Sequence, residues 1–504
     1  MRAPSNFNVI IAAFLTAISI CGLADEARSQ PNPTAQCGSE IEKHTWQLWD
    51  TDGRGFIRDK MMADQLIKQG DTYALYDTQV YLQNLVSMAI RCGRIDRLRE
   101  LGGIIDVAYS RLEAIPGFSG SLGWICRGGR VCNSRSRLTG TEVRLTSLQF
   151  LVLATQIANG LAQQPDQDER STQFIGQTLQ VVLAHLDRWL QGSDPWRISE
   201  RLAATPDSVK DGDSRLFFTD QDLWLLALES EVAGILDAPW AASRTRIDQP
   251  LRDRISANVR DLSRLMLARL TERTVASKQF GEQKTADLDR GFWRRYGDNR
   301  FAAYDDPVGP ISCGAGGKRQ EKPGFNPKNV PIVDDIGWDF SHARRFVHAF
   351  AALDRNHAAL MHVLGLTAAE LPPMELSKEF AATLVTTVWN KDESWPLFSN
   401  YWNGSNGWYR VAYDNGTTGC FAGYGPSGLS DSFATGGFAV WQQYQPIIGT
   451  LGMRLFDIAA SNGSDEQAFI QQYYPGLSPA ASAANRMLTQ LMFWPSLVAG
   501  NWVR

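Results

Sequence analysis

The chain lacks the short motifs that mark several common chemistries. Its 504 residues contain no phosphate loop, Rossmann fingerprint, Gly-x-Ser-x-Gly elbow or His-Glu-x-x-His zinc pattern. GYGPSGLSDS at 423–432 has the glycines of a tight loop, but Ser430 and Ser432 are not framed as an elbow nucleophile, so serine hydrolysis is not expected. There is no basic run of the kind a phosphate backbone requires. With a net charge of -4 and a pI near 6.0, nucleic acid is not an expected partner. Beyond the N-terminal region no segment reaches ~20 consecutive apolar residues, which argues against stable membrane insertion. The cysteines have no Cys-x-x-Cys or paired-histidine companion, so no metal is expected, and no cofactor either.

What is present is ample core-forming material: 44% of the residues are hydrophobic, enough for one large domain or two. Residues 1–29 read as a secretory signal, with Arg2, an apolar run from Val9 to Ala24, and small residues at Ala24 and at 27–29. Its removal takes Cys21 and leaves six cysteines, at 37, 92, 126, 132, 313 and 420. An even number in an exported chain points to disulfides and to a periplasmic or secreted protein. Cys126 and Cys132 frame a Gly/Arg-rich loop and make the best single pair, while Cys313–Cys420 would join two functional loops. Residues 30–70 form a leader and turn region, with a short helix over 39–48. DTDGRGFIRDKM at 50–61 matches some positions of a calcium loop. Arg54 and Met61 stand where oxygen ligands are needed and the final Glu is missing, so an ordinary Asx/Gly turn is expected there.

From residue 72 onward helical periodicity dominates. Leu82, Leu85, Val86, Ala89 and Ile90 recur at helical spacing. So do Ile175, Leu179, Val182, Leu186 and Leu190, and Ile255, Val259, Leu262, Met266 and Leu270. Residues 142–162 form a helix containing Leu148 to Leu153, apolar all round, which implies burial on every side. Further helices are expected over 94–113, 220–237, 340–353, 356–364, 375–389, 434–460, 465–473 and 479–494, the last with Ser478 as N-cap and Pro479 in its first position. Residues 275–338 are the longest non-helical insertion and are read as functional. The fold class is all-α. The helices come in pairs, one amphipathic and one more uniformly apolar. Over roughly residues 70–500 this pairing resembles the (α/α)6 toroid of alginate-lyase-like polysaccharide lyases and related toroid glycoside hydrolases. The resemblance implies a catalytic domain over 71–504, with long loops gathered on a cleft face and a polysaccharide or oligosaccharide as partner. A monomer is expected.

Two stretches carry the chemistry. PIVDDIGWDFSHARR at 331–345 sets Asp334, Asp335, Asp339, Trp338, His342, Arg344 and Arg345 at the mouth of a helix, with Asp339 or Ser341 as N-cap. The Gly/Asn-rich stretch 395–437 adds Trp395, Trp402, Asn403, Asn406, Trp408, Tyr409, Arg410, Tyr424 and Asp431. Asp339 and His342 are three apart and meet across one helical turn, where a carboxylate fixes the imidazole tautomer and raises its basicity. His, Tyr and a cation are what β-elimination on a uronic acid requires. His342, Asp339, Tyr409, Asp335 and Arg344 are therefore the expected catalytic residues. Trp338, Arg345, Trp402, Asn403, Asn406, Trp408, Arg410 and Asp431 are the expected substrate contacts, the aromatics by stacking on sugar rings. Trp293 and Tyr296 extend that pattern. A carboxylate pair drawn from Asp305, Asp306, Asp334, Asp335, Asp339 and Asp431 would instead make a glycoside hydrolase. A non-catalytic polysaccharide-binding protein is the third reading.

Overall fold

Ser39 accepts a hydrogen bond from the Glu42 amide and opens the first helix, α1 (Glu40–Leu48). The computed structural model describes residues 35–118, 120–191, 198–210, 214–243, 247–414 and 419–500. The signal sequence expected over residues 1–29 lies outside the described residues. The turn expected at 50–61 is instead helical. The chain continues from α1 through π-type helix at Trp49–Gly53 and Phe56–Gln69. Its buried residues there are Trp49, Gly53, Ile57, Met61, Met62 and Leu66. The steps of four from 49 through 53 and 57 to 61, and from 62 to 66, are wider than the 3.6-residue repeat of an α-helix and suit i→i+5 winding. Asp50 and Asp52 are not spare ligands: Asp50 pairs with Arg54 and Arg97, and Asp52 accepts from Thr51.

The later helices are α2 (Tyr73–Arg91), α3 (Ile95–Ile105), α4 (Arg144–Ala162), α5 (Glu169–Gln191), α6 (Ile198–Ala203), α7 (Asp220–Asp237) and α8 (Gln249–Arg269). After the long insertion come α9 (Phe340–Arg355), α10 (His357–Leu364), α11 (Leu376–Thr383), α12 (Asp431–Thr435), α13 (Pro446–Ala460), α14 (Ser464–Tyr473) and α15 (Ala483–Gly500). The expected helix 434–460 is cut in three, because Gly437 takes a left-handed φ of 83° and Pro446 must start a new helix; a 3-10 turn, Phe438–Gln443, lies between. The helix expected from 479 starts at Ala483, where Ser482 rather than Ser478 accepts from the Asn485 amide.

Neighbours follow a definite order. α2 packs against α4 and α15, α4 against α7, and α7 against α9. α9 meets α12 and the 438–443 turn, and both of these pack on α15. α4 and α7 bury residues on every face, and α15 does so from Met487 onward except at Gln490. α4 is long and apolar enough to cross a membrane by length and composition, but 89% of that window is buried inside the fold. α3, α5, α8 and α10 cover this inner set, and α5 and α8 show one apolar stripe each.

Strand is sparse among the described residues. Two-residue pieces β1 (Glu113–Ala114) and β2 (Leu122–Gly123) pair against α5, and β5 (Ile311–Cys313) pairs with β6 (Arg319–Glu321) in the insertion. The longest hairpin joins β3 (Leu270–Ser277) to β4 (Gly281–Leu288), and Thr383 of α11 accepts the Ala286 amide. The insertion is anchored at its base by Asp289, wholly buried, which takes Arg269 Nη1 at 2.7 Å and the Phe218 amide at 3.1 Å. Three disulfides, Cys37–Cys92, Cys126–Cys132 and Cys313–Cys420, agree with an oxidising environment.

Candidate functional site

Asp339 has extended backbone angles, so its side chain can fold back over the first turn of α9. Its Oδ1 accepts from the His342 amide at 3.1 Å and from Ser341 Oγ. Its Oδ2 lies 2.6 Å from His342 Nδ1. One carboxylate therefore caps the helix and orients the imidazole. Burial opposes ionisation of Asp339, but His342 and its hydrogen bonds outweigh this and hold its carboxyl well below the usual carboxylate range. His342 keeps 23% of its side chain exposed, and among the described residues its ring bonds all run through Nδ1. Nε2 is the nitrogen left to meet a substrate.

The 400–413 segment is strung alongside. Phe340 N donates to Asn400 O, and Tyr409 pairs antiparallel with Tyr424. Tyr409 OH reaches 3.4 Å from His342 Nδ1. Its ring is only 1% exposed, and burial pushes its phenol well above the ordinary value. Tyr409 thus buttresses the imidazole rather than facing a substrate. Arg410 follows in a left-handed conformation, φ 50°, as does Ala412 at 46°. Such strain persists only where surroundings enforce it. Here Asp298 does so, accepting Arg410 Nε at 2.8 Å while its carbonyl takes the Arg410 amide. The guanidinium lies 5.1 Å from the Tyr409 ring and 5.5 Å from Tyr413.

Four helix N-termini meet near this point. Arg344 Nη2 of α9 donates to Tyr76 OH, in the first turn of α2, at 3.3 Å. Arg345 Nε lies 3.3 Å from Asp220, the first residue of α7. Asp431, the first residue of α12, is coupled to Arg344. The starts of the longer helices α2, α7 and α9 contribute partial positive charge. Burial opposes ionisation of Tyr76, but Arg344 and Arg345 outweigh it and lower its pKa. Burial raises Asp431 to about 6 against the pull of Arg344, and does the same for Asp77, next to Tyr76. Deeper along α9, His348 is pushed down to about 3 by burial and the same two arginines.

The sequence-derived residues therefore divide. His342, Asp339, Tyr409 and Arg410 come together, and Arg344, Arg345 and Asp431 form an adjoining group. Asp335 lies elsewhere in its surroundings: it is exposed, pairs with Arg290, and accepts Asn403 Nδ2 at 3.0 Å. Trp338 and Trp402 are 1% and 0% exposed. Trp338 packs on Trp293 and Phe346, and Trp402 on Phe380 and Phe438, so neither ring offers a face to a sugar. Trp408 anchors the insertion by donating to Asp306 O at 2.7 Å, and Trp395 packs on Phe469. Asn406 is spent on the Asn400 and Ser427 amides and Ser427 Oγ. Asp306 pairs with Lys322, while Asp334 and Asp305 are exposed. Tyr76 and Asp298 are the residues that sequence reasoning missed. DTYALYD at 71–77 shows polar aromatics at a helix start, the same signal that marks 331–345. No group of three or more His, Cys, Asp or Glu that would hold a metal occurs among the described residues. Comparison with protein-family models, curated proteins and solved structures finds no match for this chain.

Proposed function

We propose that the protein is a secreted or periplasmic enzyme of the (α/α)6 type that cleaves a uronate-containing polysaccharide by β-elimination. The cyclic order of helix neighbours, α2–α4–α7–α9–α12–α15 and back to α2, supports a ring of inner helices. The observation that carries the reaction class is His342: an imidazole oriented by Asp339, buttressed by Tyr409 and set beside Arg410 where positive helix ends converge.

In this reading Arg410 and the helix ends offset the charge of the substrate carboxylate, which acidifies the proton at C5. His342 Nε2 takes that proton, and Asp339 stabilises the imidazolium. The electron pair left at C5 forms the C4–C5 double bond as the C4–O bond breaks. The leaving oxygen takes a proton from Tyr76, whose phenol is made more acidic by Arg344 and Arg345. Solvent then returns a proton to Tyr76, and His342 releases its own. The test is to incubate the protein with uronate polymers and follow ultraviolet absorbance of the new double bond. Absorbance that grows with enzyme and vanishes in His342→Ala supports elimination.

One observation favours a second reading. Asp77 and Asp431 both hold protons to about pH 6 and both couple to Arg344, as a general acid for glycoside hydrolysis would. New reducing ends without ultraviolet absorbance would select it.

A further inference from the structure

The loop between Cys126 and Leu138 runs against the charge of the whole chain. It carries four arginines and no acid, in a protein of net charge -4. It is a built loop. Cys126–Cys132 closes it, Asp71 Oδ2 accepts the Val131 amide at 3.3 Å, and Thr72 Oγ1 lies 3.5 Å from Cys132 Sγ. Both Asp71 and Thr72 immediately precede α2, the helix that carries Tyr76.

Two of its arginines reach carboxylates beside site residues. Arg127 turns away to Glu113. Arg130 is 66% exposed and 3.4 Å from Asp77, next to Tyr76. Arg135 makes a two-pronged pair with Asp414, just beyond Arg410. Its Nη2 lies 3.7 Å from where a side chain on Gly419 would begin, and the Cys420 amide lies 3.9 Å from the same point on Gly317. The β5–β6 turn, with exposed Lys318 and Arg319, is thus joined to this rim and locked there by Cys313–Cys420. Arg137 is exposed too.

We propose that Arg130, Arg135, Arg137, Lys318 and Arg319 form a subsite for anionic groups on sugars flanking the one that reacts, so that the substrate is a polyanion bearing carboxylate or sulfate on successive units. The idea rests on the proposed action on a uronate polymer. Exposed cations on a pinned loop contribute through on-rate and salt-dependent attraction.

The test compares the wild type with Arg137→Gln/Arg319→Gln and with the charge-keeping Arg137→Lys/Arg319→Lys. Affinity is measured by electrophoresis through gels containing polygalacturonate, dextran sulfate or neutral dextran, at two salt concentrations. The expected result is roughly tenfold weaker polyanion binding in the Gln variant at low salt, a smaller salt effect, and near-wild-type binding in the Lys variant. A loss confined to polygalacturonate identifies carboxylate recognition, and one confined to dextran sulfate identifies sulfate. Equal binding by all three proteins, or equal retention by neutral dextran, overturns the subsite. The elimination reading is scored separately: a wild type that binds polyanions but yields no unsaturated product keeps the subsite and loses the lyase.

Discussion

Asp339 Oδ2 sits 2.6 Å from His342 Nδ1, while Oδ1 of the same carboxylate receives the His342 amide. Cap and orienter are one group, so its two roles are separable only by pairing substitutions. His342→Ala is expected to lower turnover ~10²–10⁴-fold with the melting temperature little changed. Asp339→Asn retains a capping oxygen yet loses the charge facing the imidazolium, so turnover falls by less. Asp339→Ala adds a stability loss of ~0.5–2 kcal/mol. Steady-state rates beside thermal melts check the pattern; full turnover in His342→Ala removes the imidazole from the mechanism.

Tyr76 is expected to ionise below the ordinary tyrosine value, because Arg344 and Arg345 overcome its burial. A spectrophotometric titration of phenolate formation should lose its earliest tyrosine in Tyr76→Phe. In Arg344→Gln that transition should move up. Since the protonated phenol is the proposed proton donor, activity should decline as pH rises through the same transition. Identical titrations for wild type and Tyr76→Phe would dismiss the residue.

Asp431 holds its proton to about pH 6 in the folded protein. In the unfolded chain an aspartate releases it near ~4. Between those values the unfolded state binds fewer protons, so this group makes stability fall as pH rises, with no further change above the folded value. Asp431→Asn should flatten that slope in chemical-denaturation curves. The same variant tests chemistry: elimination survives it, whereas hydrolysis through Asp431 does not.

Cys313 and Cys420 are 107 residues apart and tie the insertion to the segment that carries Tyr409 and Arg410. Closing a loop of that length restricts the unfolded chain by roughly 4–5 kcal/mol in the chain-entropy account. Cys313→Ser/Cys420→Ser should melt earlier and should lose activity well below its melting point, because Arg410 is held in a strained conformation. Cys126→Ser/Cys132→Ser, which opens a loop of only a few residues, is expected to cost less stability. Thiol titration of the denatured protein should find Cys37, Cys92, Cys126, Cys132, Cys313 and Cys420 paired.

The helices were legible where the period was 3.6. Phe340–Arg355 lies where its apolar stripe and the Asp339 cap put it, and Asp220–Asp237 fills the range expected for it. The first helix was legible too, but its π-type continuation over 49–69 was not, because Trp49, Gly53, Ile57 and Met61 repeat every four residues and Asp and Gly between them mimic a turn. The hairpin at 270–288 was hidden because GEQKTADL has no apolar alternation until its last residues. At the site, the Asp339–His342 pair needs only one helical turn and could be read locally. Its partners Tyr76 and Asp298 come from elsewhere in the chain, and only packing brings them near. The tryptophans misled for a related reason: Gly- and Asn-rich flanks look like an open loop, yet Trp338 and Trp402 fill the space beneath it.

Asn84 of α2 donates to the Met492 carbonyl of α15 across 408 residues. A contact of such high order sets a timetable. α2, with Tyr76, leaves the ribosome early, but one flank stays bare until α15 has been made. The apolar face that awaits α15 must be shielded throughout synthesis, or during any passage as an unfolded chain, from pairing with other molecules. Nascent chains halted before residue 483 should therefore remain protease-sensitive in α2 and bind hydrophobic dyes. Protection of α2 in such truncated chains would show that the early helices close on themselves without waiting for α15.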